Sequence, residues 1–235
     1  MCPIATDFND LEALSMLVNY RRWIVSAFAP HLGNRCIEYG AGIGNISDML
    51  RPYVEELHLI EPFKPSFLTL SEKYRRDAGV HLSCETVEDS VVDIQKGSFD
   101  SVVMVNVLEH IENDVALLSR IFEILRPTGT LCIFVPAHYF LFSAYDRLVG
   151  HYRRYELPDL SSKLVRAGFE VTRATYFDMI GVVPWFISMK LLHQTRIRST
   201  LASLYDTLVV PLGRRLEANF NPPFGKNILL IGRKP

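Results

Sequence analysis

No run in this chain is long and apolar enough to read as a membrane span. The most hydrophobic stretch, Met179 to Leu192, contains Pro184 and Lys190 and falls short of the roughly 20 residues a spanning helix needs. The first residues, Met-Cys-Pro-Ile-Ala-Thr-Asp-Phe, lack the basic start and apolar core of a secretory leader, so a cytoplasmic location is expected. Charge of one sign is also missing. The 25 Lys and Arg nearly cancel the 26 Asp and Glu, for a net charge of −1. No overall field therefore draws the molecule to nucleic acid. The four cysteines include no CxxC pair, and with the histidines they give no zinc set. Cys36, Cys84 and Cys132 lie in apolar runs and read as buried free thiols. A GxSxG nucleophile elbow is absent, which argues against an α/β hydrolase. Neither internal repeats nor low-complexity tracts occur.

What is present is the pattern of a parallel α/β sheet. Short apolar runs at Arg35–Tyr39, Leu57–Glu61, Val80–Cys84, Phe99–Val105, Thr130–Pro136, Phe169–Phe177 and Lys226–Arg233 read as strands. Helical segments are expected near 45–51, 65–78, 112–125 and 156–167, with an amphipathic helix over 10–29 bearing Leu14, Leu17, Val18 and Trp23. The helix ending at 125 is stopped by Arg126-Pro127-Thr128-Gly129. With 235 residues, 49% of them hydrophobic, the chain suits one core. It divides into a helical cap (1–34), a core (35–177), a helical insert (178–225) and a last strand (226–235), all in a single domain.

The sharpest motif is Ile37-Glu38-Tyr39-Gly40-Ala41-Gly42-Ile43-Gly44-Asn45, a strand running into a glycine-rich turn. Glycines there let the backbone turn tightly and approach a ligand. A dinucleotide fingerprint would need a third glycine at 45, where Asn45 stands, and this argues against a nicotinamide-dependent oxidoreductase. An acid precedes the loop instead. Glu38 would repel a pyrophosphate but attract an ammonium. Glu61, at the end of the next strand, can accept hydrogen bonds from both hydroxyls of a ribose.

These residues resemble the class I S-adenosylmethionine-dependent methyltransferases, in particular the bacterial small-molecule group, from about Arg35 to Pro136. The resemblance implies a Rossmann-like, mostly parallel sheet of seven strands, helices on both faces, in the order 3-2-1-4-5-7-6. It implies S-adenosyl-L-methionine as cofactor, with Glu38, Gly40, Gly42 and Gly44 at its methionine end and Glu61 at its ribose. In Cys84-Glu85-Thr86-Val87-Glu88, the backbone of Val87 and a side chain from Glu85, Thr86 or Glu88 would face the adenine, and Asn106 and His110, in Asn106-Val107-Leu108-Glu109-His110, the methionine end. Asn221-Pro222-Pro223-Phe224 has the spelling of an amino-methyltransferase motif but stands after the wrong strand, so it reads as a turn.

A methyl sulfonium is already activated, so an enzyme must mainly align the acceptor and exclude water. A base is needed only where the acceptor must lose a proton. His110, His138 and His151 follow strand ends and are the candidates. The polar-aromatic stretch Ala137–Tyr155 and the insert are expected to cover the acceptor, with Tyr139, Phe140, Phe142, Tyr145, Trp185 and Phe186 offering an apolar or planar pocket. Alternatively, an Asp146–Arg ion pair simply staples the loop. The expected reaction is methyl transfer to a small hydrophobic or aromatic metabolite. Its alternatives are a lipid-linked or glycan acceptor, or a cofactor-holding partner subunit without chemistry. Methyl transfer to any acceptor separates the last from the others. Arg196/Arg198 and Arg214/Arg215 flank apolar helices that read first as a solvated helix face, with resting on a membrane surface or capping an apolar substrate as the alternatives.

Overall fold

A computed structural model describes residues 16–196 and 199–235. Leu14, Cys2 and Arg198 lie outside the described residues. Seven strands form one sheet: β1 (Arg35–Tyr39), β2 (Glu56–Ile60), β3 (Val80–Ser83), β4 (Phe99–Val105), β5 (Leu125–Pro136), β6 (Glu170–Phe177) and β7 (Asn227–Arg233). Their order is β3-β2-β1-β4-β5-β7-β6, as the resemblance implies. All pairings are parallel except those of β7, which runs antiparallel to both β5 and β6.

Period-two alternation divides the apolar side chains between two cores. Ile37, Val102, Met104, Ile133 and Leu230 face α4 (Val87–Asp93), α5 (Asp114–Ile124) and α7 (Leu157–Arg166). Cys36, Val103, Cys132, Phe134 and Leu229 face α1 (Val18–Phe28), α2 (Ser47–Leu50) and α3 (Lys64–Tyr74). Trp23 of α1 lies against Phe177, with ring centroids 3.9 Å apart. Glu38 falls between Ile37 and Tyr39 in the alternation, on the α1 side of the sheet.

Two expectations are corrected. Helix α4 was not expected. It starts inside the segment expected to face the adenine, where Thr86 caps it by accepting from Asp89 N–H at 3.2 Å. Cys84 is exposed, since β3 ends one residue before it at the edge of the sheet, while Cys36 and Cys132 are buried.

The loop from Ala137 to Tyr155 contains one short helix, α6 (Ala144–Leu148). It is stapled down by Asp146, as the ion-pair reading foresaw. The fully buried Asp146 carboxylate accepts from Ser143 N–H and Oγ (both 2.8 Å) and Arg154 Nε (2.8 Å), and its Oδ1 lies 3.0 Å from His151 Nδ1. Arg154 also lies over the Trp185 ring at 4.8 Å.

The insert holds α8 (Val182–Trp185), continued by a wider π-turn over Phe186–Leu191, and then α9 (Ser199–Leu204) and α10 (Val210–Glu217) joined through a second π-turn. Asp206 ties it to α1 by accepting from the backbone N–H of Asn19 and Tyr20 at 2.9 and 2.8 Å. Lys190 Nζ donates to Phe142 O at 2.6 Å, joining the insert to the Ala137–Tyr155 loop. Among the described residues no helix is long and apolar enough to cross a membrane.

Removing Asp146 leaves the Arg154 guanidinium buried without its carboxylate, which costs about 3–5 kcal/mol for a pair of this kind. Asp146→Ala should lower unfolding stability by that amount in urea denaturation. A loss under about 1 kcal/mol would mean that the ion pair does not hold the loop.

Candidate active site

The glycine loop and the Leu108–His110 turn leave β1 and β4, adjacent and parallel, at their carboxyl ends. At β1 the chain turns through Gly40, Gly42 and Gly44, with φ of +71°, +57° and +84°. These left-handed conformations suit glycine. The environments of the three differ. A Cβ on Gly40 would meet Val107 at 2.5 Å and one on Gly44 would meet Leu70 at 2.9 Å, whereas nothing lies within 4 Å of one on Gly42. Packing therefore demands glycine at 40 and 44, while Gly42 keeps the surface in front of the loop open.

Three side chains brace that loop. Lys73 Nζ donates to Gly44 O at 3.0 Å and to Asp48 Oδ2 at 2.5 Å. Tyr74 Oη donates to Asp48 Oδ1 at 2.6 Å. Glu61 is nearly buried, and its two oxygens accept from Gly42 N–H at 2.7 Å and Phe63 N–H at 2.8 Å. Glu61 thus fastens the loop as well as lying at the end of β2. Each of its oxygens keeps a further lone pair for another donor. Burial holds its carboxyl above the usual carboxylate range.

Glu38 is 2% exposed, and its Oε2 has no hydrogen-bond partner among the described residues. Burial pushes its pKa up to about 8, opposed by Ser47 and aided by the charges of Asp48 and Glu61. A buried acid of this kind strongly favours a cationic partner. Thr86 and Val87 lie at the start of α4, beside β3. The Thr86 hydroxyl is engaged by Asp89, and the Val87 side chain is buried in the core.

On the β4 side the chain leaves through Asn106, exposed and left-handed at φ 54°, and enters a tight turn over Leu108–His110. The loop that Asp146 holds lies on this turn. Tyr152 N–H donates to Glu109 O at 2.8 Å, and Tyr155 Oη donates to Leu108 O at 3.1 Å. The loop brings His151 against His110, edge to face at 4.6 Å, and places His151 Nε2 3.8 Å from Glu109 Oε1. Glu109 is fully buried, and neither of its oxygens has a hydrogen-bond partner among the described residues. Its pKa rises to about 7, chiefly through burial against the opposing His151 charge. Burial and the neighbouring His151 lower that of His110 to about 4.

Of the three candidate histidines, the structure brings His110 and His151 together. His138 has different company. Its Nδ1 lies 3.0 Å from Glu156 Oε2 and its ring stacks on Tyr176 at 4.8 Å. Sequence reasoning missed the part that Glu109 takes, although an acid between Leu108 and His110, directly after an apolar strand, was a visible signal. The cover residues divide as well. Tyr145 and Trp185 pack edge to face at 5.6 Å, whereas Tyr139 and Phe140 are exposed.

Comparison with known proteins identifies the family. The family model for a methyltransferase domain matches residues 16–174. Among curated proteins, the chain is similar to the ubiquinone biosynthesis O-methyltransferase of Xanthomonas axonopodis pv. citri, 28% identical over 46% of this chain and 45% of that one. It is also similar to the protein of the same name from Methylococcus capsulatus, 21% identical over 52% of each. The chain thus spans about half the length of the curated relatives it matches. Among solved structures, the fold resembles a methyltransferase crystallised with the Haloferax volcanii Trm112 activator (TM-score 0.65, 13% identity, 99% of both chains). It likewise resembles a Haemonchus contortus phosphoethanolamine N-methyltransferase in complex with S-adenosyl-L-methionine (TM-score 0.63, 18% identity, 92% of this chain and 52% of that one). With the family model covering most of the chain, and a glycine loop backed by buried acids at the carboxyl end of β1, the protein belongs to the S-adenosylmethionine-dependent methyltransferase family.

Proposed function

We propose that the protein transfers the methyl group of S-adenosylmethionine to a hydroxyl oxygen of a small apolar or aromatic acceptor. The observation that carries this reading is the Glu109–His110–His151 cluster beside the glycine loop. A hydroxyl must lose a proton as it is methylated, and the cluster offers polar atoms for that proton where the sulfonium would lie. The names of the relatives, ubiquinone biosynthesis O-methyltransferases, support oxygen as the acceptor atom.

In this reading Glu38 attracts the ammonium of the methionine moiety, and Gly40, Gly42 and Gly44 let that end lie against the backbone. Glu61 accepts from the ribose hydroxyls with its remaining lone pairs. Thr86 and Val87 border the adenine through their backbone, and Asn106 borders the methionine end. The Ala137–Tyr155 loop and the insert, joined through Lys190 and Trp185, form the cover on the acceptor side.

The outer face of that cover supports an apolar acceptor carried in a lipid surface. Val183, Ile187 and Leu191 recur at four-residue spacing along the α8 segment, and Leu204, Leu208, Leu212 and Leu216 do so from α9 into α10, all at least 44% exposed. Exposed Arg214 and Arg215 stand beside them. A stripe of this extent, flanked by basic residues, suits an interfacial helix more than a solvated one.

Two measurements test the proposal. With labelled S-adenosylmethionine, an alkylated catechol in detergent micelles should be methylated on oxygen, and the matched aniline should not. Methylation of the aniline alone would overturn the assignment to oxygen. The cofactor end is tested by pH. Free Glu38, raised to about 8, is protonated at neutral pH and must ionise to hold an ammonium. Binding then releases a proton below the free pKa, so affinity rises with pH. S-adenosylhomocysteine should bind up to about tenfold tighter per pH unit between about pH 6 and 8, and Glu38→Gln should bind weakly with a flatter profile. Wild-type binding as flat as that of Glu38→Gln would remove Glu38 from the cofactor site.

A further inference from the structure

We propose that Glu109, His110 and His151 form a binding site for one divalent transition-metal ion. The inference rests on the reading of this cluster as the acceptor end of the site and goes beyond it. One ligand atom from each of the three residues lies within 4.8 Å of those of the others. The Glu109 Oε1–His151 Nε2 separation is 3.8 Å, and ligand atoms around a tetrahedral zinc lie roughly 3.3 Å apart. A small side-chain movement closes that difference.

Chemistry selects this cluster over an ordinary polar contact. Glu109 is completely buried, yet neither of its oxygens has a hydrogen-bond partner among the described residues. A buried carboxylate left in that state is costly, and a cation is what compensates it. His151 is set up as a ligand by its outer partner. Asp146 holds Nδ1 at 3.0 Å, which leaves Nε2, facing Glu109 at 3.8 Å, as the atom placed to bind a metal. Carboxylate–histidine pairs fix metal ligands in this manner. Asp146 is itself held by Ser143 and Arg154.

A second group, Glu56, His58 and His81, also has ligand spacing, but its carboxylate is already paired with Arg35 Nε at 2.8 Å. Its carboxylate is therefore not orphaned, although His58 Nε2 has no hydrogen-bond partner among the described residues, and the group serves as the control. Two imidazoles and one carboxylate suit zinc, iron(II), cobalt(II) or manganese(II) and leave coordination positions open. A hydroxylated acceptor could occupy one of them, and a ligated hydroxyl is a stronger acid than a free one.

The test uses full-length protein stripped with chelator and titrated calorimetrically with zinc chloride and, separately, manganese chloride, without acceptor. One equivalent should bind, and cobalt(II) loading should give a visible ligand-field spectrum. His151→Ala and Glu109→Gln should each weaken binding by roughly 100-fold or more, while His58→Ala leaves it unchanged. S-adenosylhomocysteine affinity, measured on each variant, reports that the fold is intact. Should Glu109→Gln fail to fold, His110→Ala takes its place with the same expected loss. No binding to the wild type, or binding that survives His151→Ala and is lost in His58→Ala, would overturn the site. Because no turnover is read, failure here leaves methyl transfer to oxygen standing. Metal binding without O-methylation of any acceptor would overturn the functional proposal alone.

Discussion

One buried carboxylate organises the loop that lies over the β4 turn. Asp146 takes hydrogen bonds from Ser143, holds His151 and pairs with Arg154, so a stretch that would otherwise be a mobile connector has a single arrangement. Arg154 carries the constraint outward to Trp185 and hence to the insert. His151 carries it inward to His110 and Glu109. The three groups that the β4 turn and the loop bring together are therefore positioned by a residue that stands behind them. Burial makes this constraint strong, since an ion pair away from water is screened little by salt.

The cofactor side depends on a different balance. Glu38, Asp48 and Glu61 crowd the end of β1 and β2, and among the cations Lys73 reaches into the loop to meet Asp48. Without a ligand, this concentration of acid is relieved by keeping Glu38 largely protonated. In the proposed reading a cationic ligand would take the place of that proton. The backbone then needs little rearrangement, because Glu61 and Lys73 already fasten the glycine loop.

Most of the sheet could be read from the chain because period-two alternation and glycine or proline stops are local signals. β1 and β4 begin and end where the apolar runs do. The exceptions have local causes too. The polar sequence around Thr86 hides a helix, since Glu88 and Asp89 are surface residues of its first turn. Cys84 looked buried because it closes the strand-like run Val80–Cys84, but an edge strand leaves it exposed. The site was legible in part. The glycine loop and its acids are contiguous, so spacing revealed them. The meeting of Glu109 with His151 depends on two segments folding onto each other, and no periodicity records that. Asp146 could be anticipated as a staple, but its hold on His151 could be seen only in three dimensions.

The placement of β7 has a consequence for how the chain is made. Residues 227–233 lie between β5 and β6 and are paired on both sides along their length. During synthesis, β6 therefore emerges with no neighbour to receive it. Its partner follows only after the whole insert, with its leucine-rich helices, has left the ribosome. For that interval the nascent protein presents an unpaired β5 edge and an uncovered apolar surface together, the combination that chaperones bind and that aggregates when they are scarce. β7 thus acts as a latch on this sheet, which cannot close until the insert that precedes it has been translated.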